Sequence, residues 1–287
     1  MNRKNIIVAV VVLCVTAAAV LYFTSHGGRG GSHRQAGNRP RETITVDLGG
    51  GVKMEFMSMP AGRFMMGAAP GEDGAYADES PQHAVIIDKD VWLGKYEVTQ
   101  AQWQRVMGNN PSTFQEAGPS APVDSVTWDD CIVFFEKLNA LLAANTNGPA
   151  LKGFRLPTEA EWEYACRAGT TTRFSGGGND GEVTDFAWCA ANSENTTHPA
   201  GQKKPNAWEF YDMQGNVWEW CSDWYGAYTE NSEKNPTGQP HGASRVLRGG
   251  SWAGYPLSTR SGRRFFSLPS VTTQEFGLRA AWERAKP

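Results

Sequence analysis

Residues 198–226 read HPAGQKKPNAWEFYDMQGNVWEWCSDWYG, with four tryptophans, three glycines and two prolines. Neither the 3.6-residue period of an amphipathic helix nor a sustained strand alternation runs through them. A stretch of this kind buries its large rings only if turns, rather than regular elements, bring them together. From residue 169 onward no long helix is apparent, and short tryptophan-rich segments alternate with turns. The chain as a whole has 11 tryptophans, 32 glycines and 16 prolines among 287 residues, which extends the expectation to a loop-rich fold held by aromatic packing.

Upstream, three helices are predicted from their caps. Thr99 and Gln102 form a capping box, and Gly108 stands where a helix-ending glycine belongs. Thr127 caps a second helix, whose Cys131, Phe134, Phe135, Leu138, Leu141 and Leu142 make an apolar stripe. Thr158 and Glu161 repeat the box, with Trp162, Ala165 and Cys166 turned inward and Gly169 ending the helix. The run ITVDLGGGVKMEF predicts a hairpin around residues 49–51. The following APGEDGAYADESPQHAV reads as a solvated acidic loop in which His83 is a structural hydrogen-bonding residue. No repeat of solenoid or propeller period occurs. These elements predict one α+β domain over residues 44–284.

Before that domain, residues 6–23 carry no charge and are just long enough to span a bilayer as a helix. A cleavable signal peptide is the alternative, with Ala17, Ala18 and Ala19 as its processing site. The apolar run continues to Phe23, which favours an uncleaved anchor followed by a flexible linker over residues 24–43. The order basic tip, apolar run, linker and domain predicts an extracytoplasmic domain, periplasmic or at the cell surface, and a secreted one if the segment is cleaved. A mean hydropathy of -0.46 excludes a polytopic membrane protein. A formal charge of -3 gives no basis for nucleic-acid binding. Cys131, Cys166, Cys189 and Cys221 permit three disulfide pairings or none, and the absence of a C-x-x-C pair disfavours a zinc ribbon or a thioredoxin-type site.

Residues 198–226, taken with KYEVTQAQW, PVDSVTW, RLPTEAEWEYACRAGT, RVLRGGSW and FGLRAA in that family's order, resemble the formylglycine-generating enzyme family, or sulfatase-modifying factors. The resemblance covers residues 54–282. It implies a single loop-rich domain of C-type lectin-like type, with little regular secondary structure and bound calcium. Members with a full active site oxidise a sulfatase cysteine to formylglycine with molecular oxygen and copper(I) held by two thiolates.

In DMQGNVWE, Asp212 and Glu219 offer carboxylates, and Gly215 and Val217, two residues apart, can turn their carbonyls to one side; this mixture of hard oxygens suits Ca²⁺. The local alternative is a turn in which Asp212 caps Gly215 and Asn216 while Glu219 pairs with an arginine. The resemblance favours calcium. It also implies a second site from Asn192 and the carbonyl of Ser193. The two copper-binding positions align with Gly254 and Thr259, and no cysteine follows Cys221, so copper is not expected. Arg264 falls near a position that the family uses for a disulfide, which leaves Cys166 without that partner. An iron site is not suggested either, since His83, His198 and His241 are scattered. Ser251, beside the substrate cysteine in active members, is the one catalytic candidate, with no base identifiable from sequence.

What remains is a groove of Ser251, Trp252, Tyr255, Arg260, Arg263, Arg264 and Phe265, residue types that suit recognition of a peptide, protein or glycan. At least half of these can equally be framework. The favoured reading is thus a membrane-tethered, calcium-binding member that binds a ligand and does not generate formylglycine. The alternative is an oxidoreductase acting on another substrate through a rebuilt metal site, with Cys189 or Cys221 participating.

Overall fold

A computed structural model describes residues 42–144, 153–177 and 182–283. The apolar run 6–23 and residues 24–41 of the expected linker lie outside the described residues, and Thr43, placed in the linker from sequence, instead begins the first strand. Among the described residues no helix is long and apolar enough to cross a membrane.

The glycine run at residues 49–51 turns the chain between β1 (Thr43–Gly49) and β2 (Val52–Ser58), an antiparallel hairpin as expected. All three glycines have positive φ, between 66° and 81°, which is why a bulkier run would not close the turn. β2 continues through β5 (Val91–Gly94) and β12 (Ala281–Glu283) to β6 (Phe154–Arg155), so that the C-terminal strand sits inside the sheet begun at the N-terminus. A second sheet has the order β10 (Arg264–Ser267), β9 (Arg245–Arg248), β7 (Trp218–Trp224) and β11 (Phe276–Gly277). A third joins β3 (Gly62–Met66), β4 (His83–Ile87) and β8 (Glu233–Lys234).

The three predicted helices form, each on its predicted cap. In α1 (Gln100–Met107) the Thr99 hydroxyl accepts from the Gln102 amide and the Gln102 side chain accepts from the Thr99 amide. In α2 (Trp128–Ala143) Asp130 completes the same exchange with Thr127. α1 and α2 pack through Trp103 and Phe134, stacked at 5.0 Å, over a core that includes Phe56, Trp92 and Trp220.

The third helix, α3 (Glu159–Arg167), departs from expectation in two ways. It ends at Ala168, in the left-handed region with φ 49°, one residue before the predicted glycine. All nine of its residues are buried, not one inward stripe. A fully buried helix with three glutamates needs a counter-charge for each. Glu159 is met by Arg264, Glu161 by Arg155, and Glu163 by Arg167 and Arg248. After α3, among the described residues, helix is confined to the four-residue α4 (Val183–Phe186) and a 3-10 turn at Pro256–Thr259. The mixed sheets, few helices and long turns are those of a loop-rich α+β fold.

The acidic stretch before β4 is solvated only in part. Asp73 and residues 75–77 are exposed as expected, but Glu79 is wholly buried, and Arg260 Nη1 reaches Glu79 at 2.7 Å and Glu72 at 2.8 Å. His83 is buried and structural as expected, with Nδ1 3.1 Å from the Pro81 carbonyl.

Candidate functional site

The DMQGNVWE turn is held by backbone chemistry that only its residue types permit. Asp212, Gly215 and Asn216 all have positive φ, at 53°, 82° and 60°. A Cβ on Gly215 would lie 2.0 Å from the Trp188 carbonyl oxygen, so glycine is the one residue that fits there. The Gly215 amide donates to Gly249 O and the Asn216 amide to Trp188 O, both at 2.8 Å. Asp212 therefore does not cap this turn. Its Oδ2 accepts from the Gly201 amide at 2.6 Å, and its buried Oδ1 has no partner.

Glu219 takes the arginine partner that the local alternative anticipated. Arg279 donates to both of its oxygens, the closest approach being 2.7 Å, and Trp162 Nε1 adds a third bond at 2.7 Å. A residue missed in the sequence completes the cluster: Glu97, in the EVTQ run before α1, accepts from Asn216 Nδ2 at 2.8 Å and from the Val217 amide at 3.2 Å. Its position just before a capping box was the available signal.

Glu97, Asp212, Glu219 and Arg279 are each at most 2% exposed, so three carboxylates face one guanidinium. Burial pushes the Glu97 carboxyl well up, and the charges of Asp212 and Glu219 add to it. Burial likewise raises Asp212, against the Gly201 amide and Arg279. The surplus negative charge and the orphaned Oδ1 suit a hard divalent cation held by Asp212 and the carbonyls of Gly215 and Val217. Glu219 is already committed to Arg279 and Trp162. Among the described residues no cluster of three or more His, Cys, Asp or Glu is arranged to hold a metal, so such a site would be largely a main-chain one.

The second expected calcium pair does not fit. Asn192 Oδ1 accepts from the Cys189 amide, and its Nδ2 donates to Thr184 O and Ala187 O. The Ser193 carbonyl lies 2.8 Å from His198 Nε2 and its hydroxyl donates to Trp252 O. Their polar groups close a turn instead of facing a cation.

The groove residues divide between framework and surface. Arg260 and Arg264, expected as ligand-binding, are buried in ion pairs, because a desolvated guanidinium is stable only beside a carboxylate. Arg264 also donates to Asp78 O and Gly226 O and lies 3.8 Å over the Tyr228 ring. Ser251 is buried too, and its hydroxyl donates to Glu275 Oε2 in a short bond, so a carboxylate partner does exist that the sequence had not revealed. Trp252 is buried, with Nε1 donating to Gln274 O. Arg263 lies over Tyr76 at 3.8 Å. Tyr255 is 79% exposed, and Leu257, Phe265 and Phe266 are exposed around it in sequence.

At the positions aligned with the copper ligands, the Gly254 amide donates to Ser251 O and its carbonyl accepts from the Ala190 amide. Thr259 is fully buried and its hydroxyl donates to Pro256 O. Cys131, Cys166, Cys189 and Cys221 are free and buried. Burial pushes every one of these thiols up, Cys166 to about 11. None is therefore a ready thiolate at neutral pH.

Comparison with known proteins bears on the family and the fold. A sequence model of the sulfatase-modifying factor enzyme 1-like domain matches residues 51–284. The chain is 34% identical to a protein named chaperone protein LppX from Paenibacillus barcinonensis, over 65% of this chain and 76% of that protein. It is 32% identical to the formylglycine-generating enzyme of Streptomyces coelicolor, over 64% of this chain but 59% of the enzyme. Among solved structures, Treponema denticola variable protein 1 superposes with a TM-score of 0.75 at 34% identity, over 84% of this chain and 99% of that one. PvdO from Pseudomonas aeruginosa gives 0.71 at 27%, over 84% and 98%. With its match over most of the chain and this shared fold, the chain belongs to the formylglycine-generating enzyme, or sulfatase-modifying factor, family.

Proposed function

We propose that the chain is a membrane-tethered, calcium-stabilised member of this family that binds a peptide or protein ligand outside the cytoplasm and does not generate formylglycine by the two-thiolate copper route. One observation carries the reading. Where two soft sulfur ligands are needed, Gly254 and Thr259 have none to offer, and the cysteines of the described residues are buried thiols held protonated. The exposed ring of Tyr255, with Leu257 and Phe265 also exposed, is of the aromatic and apolar kind that polypeptide recognition uses. A relative named as a chaperone protein fits a domain that acts by holding another polypeptide.

Calcium, if bound, would supply the positive charge that Asp212 and Glu97 lack. The chain's own contribution is the turn at residues 212–217, which fixes Asp212 and the adjoining carbonyls, and Arg279, which holds Glu219 by hydrogen bonds to both of its oxygens. The test is to purify the protein without chelators, measure its metals by mass spectrometry, and follow oxygen uptake with and without a cysteine-containing sulfatase peptide. Calcium with no peptide-dependent uptake supports the proposal. Copper or iron with uptake that depends on the peptide overturns it.

A further inference from the structure

A cavity of about 110 Å³ lies between β4, the start of α3 and the end of β7, away from Ser251 and Tyr255. Its wall includes two polar side chains whose burial is almost complete. Asp223 is 3% exposed and His83 4% exposed. Asp223 Oδ2 is occupied by the Glu159 amide at 3.0 Å and the Ser222 hydroxyl at 2.9 Å, while Oδ1 has no hydrogen-bond partner among the described residues. Oδ1 lies on the side of Gly238, which also lines the cavity and whose Cβ, if it had one, would be 3.0 Å away. On His83, Nδ1 contacts the Pro81 carbonyl, and a carbonyl can only accept. In the tautomer this contact selects, Nδ1 carries the hydrogen, which leaves Nε2 as a second acceptor with no partner among the described residues.

Two acceptors without a protein partner among the described residues, on side chains 3% and 4% exposed, open onto one cavity and suit a ligand that donates hydrogen bonds. The local charge has the same preference. Arg264 is neutralised by Glu159 through two bonds of 2.7 and 2.9 Å, and although Arg155 and Arg245 lie within electrostatic range of Asp223, neither forms an ion pair with it among the described residues. An anion is disfavoured. A guanidinium needs both oxygens of a carboxylate for its fork, and Asp223 has one to give. An ammonium group needs only separate acceptors for its N–H bonds, and the Trp224 ring and Met66 offer apolar surface for the carbon chain behind it.

We propose that this cavity binds a primary ammonium group, with Asp223 Oδ1 and His83 Nε2 accepting two of its N–H bonds and Glu233 adding negative charge. The site is independent of the ligand-binding reading above: of the groove residues expected from sequence, Arg264 alone lines it, and there it is held by Glu159.

The pH dependence follows from the groups around Asp223. Burial first and the charge of Glu159 second push its carboxyl up to about 7, with Glu161 adding to the effect. Glu233, Arg264, His83 and Tyr228 share the cavity wall, and Arg155 on β6, Arg245 on β9 and Cys221 on β7 lie within electrostatic range of Asp223. A lysine-type ammonium stays charged throughout this range. Affinity therefore rises with pH through about 7, and drops about tenfold from pH 8 to pH 6 as Asp223 takes up its proton.

The experiment titrates the full chain with Nα-acetyl-lysine amide, with its Nε-acetylated counterpart, and with glycinamide, reading the imidazole ¹⁵N resonances of the five histidines. His83→Gln assigns the His83 signals. The expected result is a saturable shift of His83 Nε2 with the lysine probe, at a Kd of about 1–10 mM for one charged group, and none with the acetylated probe. Asp223→Asn weakens it at least tenfold. Ala227→Trp, at an exposed position on the cavity's rim, blocks it and serves if Asp223→Asn fails to fold. Binding of the lysine probe alone assigns a side-chain amine. Equal binding of glycinamide also supports the site and makes an amino terminus or free amine the source. A shift from the acetylated probe equal to that from lysine, unchanged binding by both variants, or no saturation at all overturns the proposal.

Discussion

Replacing Asp223 by asparagine tests the electrostatics of the buried strand end directly. Asp223 is 3% exposed and its carboxyl is raised from an ordinary value of 3.8 to about 7, by burial first and by the neighbouring Glu159 charge second. A group with a raised folded-state pKa stabilises the fold fully only below its unfolded value, and that stability is lost as pH rises through the folded value. The window is thus 3.8 to about 7. At about 1.4 kcal/mol per unit, the wild-type chain loses about 4 kcal/mol across it relative to a side chain that does not titrate. Asparagine keeps an oxygen to accept the Glu159 amide, which Asp223 holds at 3.0 Å, and never ionises. Any fixed cost of the amide is independent of pH and cancels in a difference. Urea unfolding followed by tryptophan fluorescence at pH 5 and pH 8 should therefore show the variant gaining about 2.5 kcal/mol on the wild type between the two. A stability difference that stays constant over that range, or that moves against the variant as pH rises, refutes the reasoning.

Arg279→Met removes the one guanidinium facing Glu97, Asp212 and Glu219, and should lower stability by about 3–5 kcal/mol in the same urea assay, because buried charge is left uncompensated. Thr158→Ala opens the capping box of α3 and should cost about 1–2 kcal/mol, with Thr158→Ser restoring most of it. Added calcium should raise the Tm, and more at pH 7 than at pH 5, because burial holds Asp212 protonated to higher pH than usual and the cation must displace that proton. Calorimetry at the two pH values, with a chelator as control, checks this.

Local chemistry made a good part of the architecture readable in advance. A capping box is closed within four residues, so Thr99 with Gln102 and Thr158 with Glu161 announced helices regardless of what lay around them. The glycine run at 49–51 did the same for the first hairpin. Charged residues resisted this approach. Glu72 and Glu79 look like any acidic loop, and what buries them is Arg260, which lies 181 positions beyond Glu79. Ser251 looked baseless because Glu275 stands 24 residues downstream. Glu97 was overlooked for the same reason: its partners, Asn216 and the Val217 amide, are about 120 residues away.

The sequence by itself determined the identity of the fold, through turn-forming glycines, helix caps and the ordered tryptophan motifs, and it determined that positions 254 and 259 bear no thiol. Only the tertiary structure decided which polar groups end up desolvated and which keep a partner. Arg260 and Arg264 became framework, Glu219 was clamped by Arg279, and Asp223 and His83, from distant parts of the chain, came to share one cavity with an acceptor each to spare. The reason is physical. A turn or a cap depends on atoms a few bonds apart, whereas the behaviour of a charge depends on water removed and counter-charges brought near by every segment packed around it.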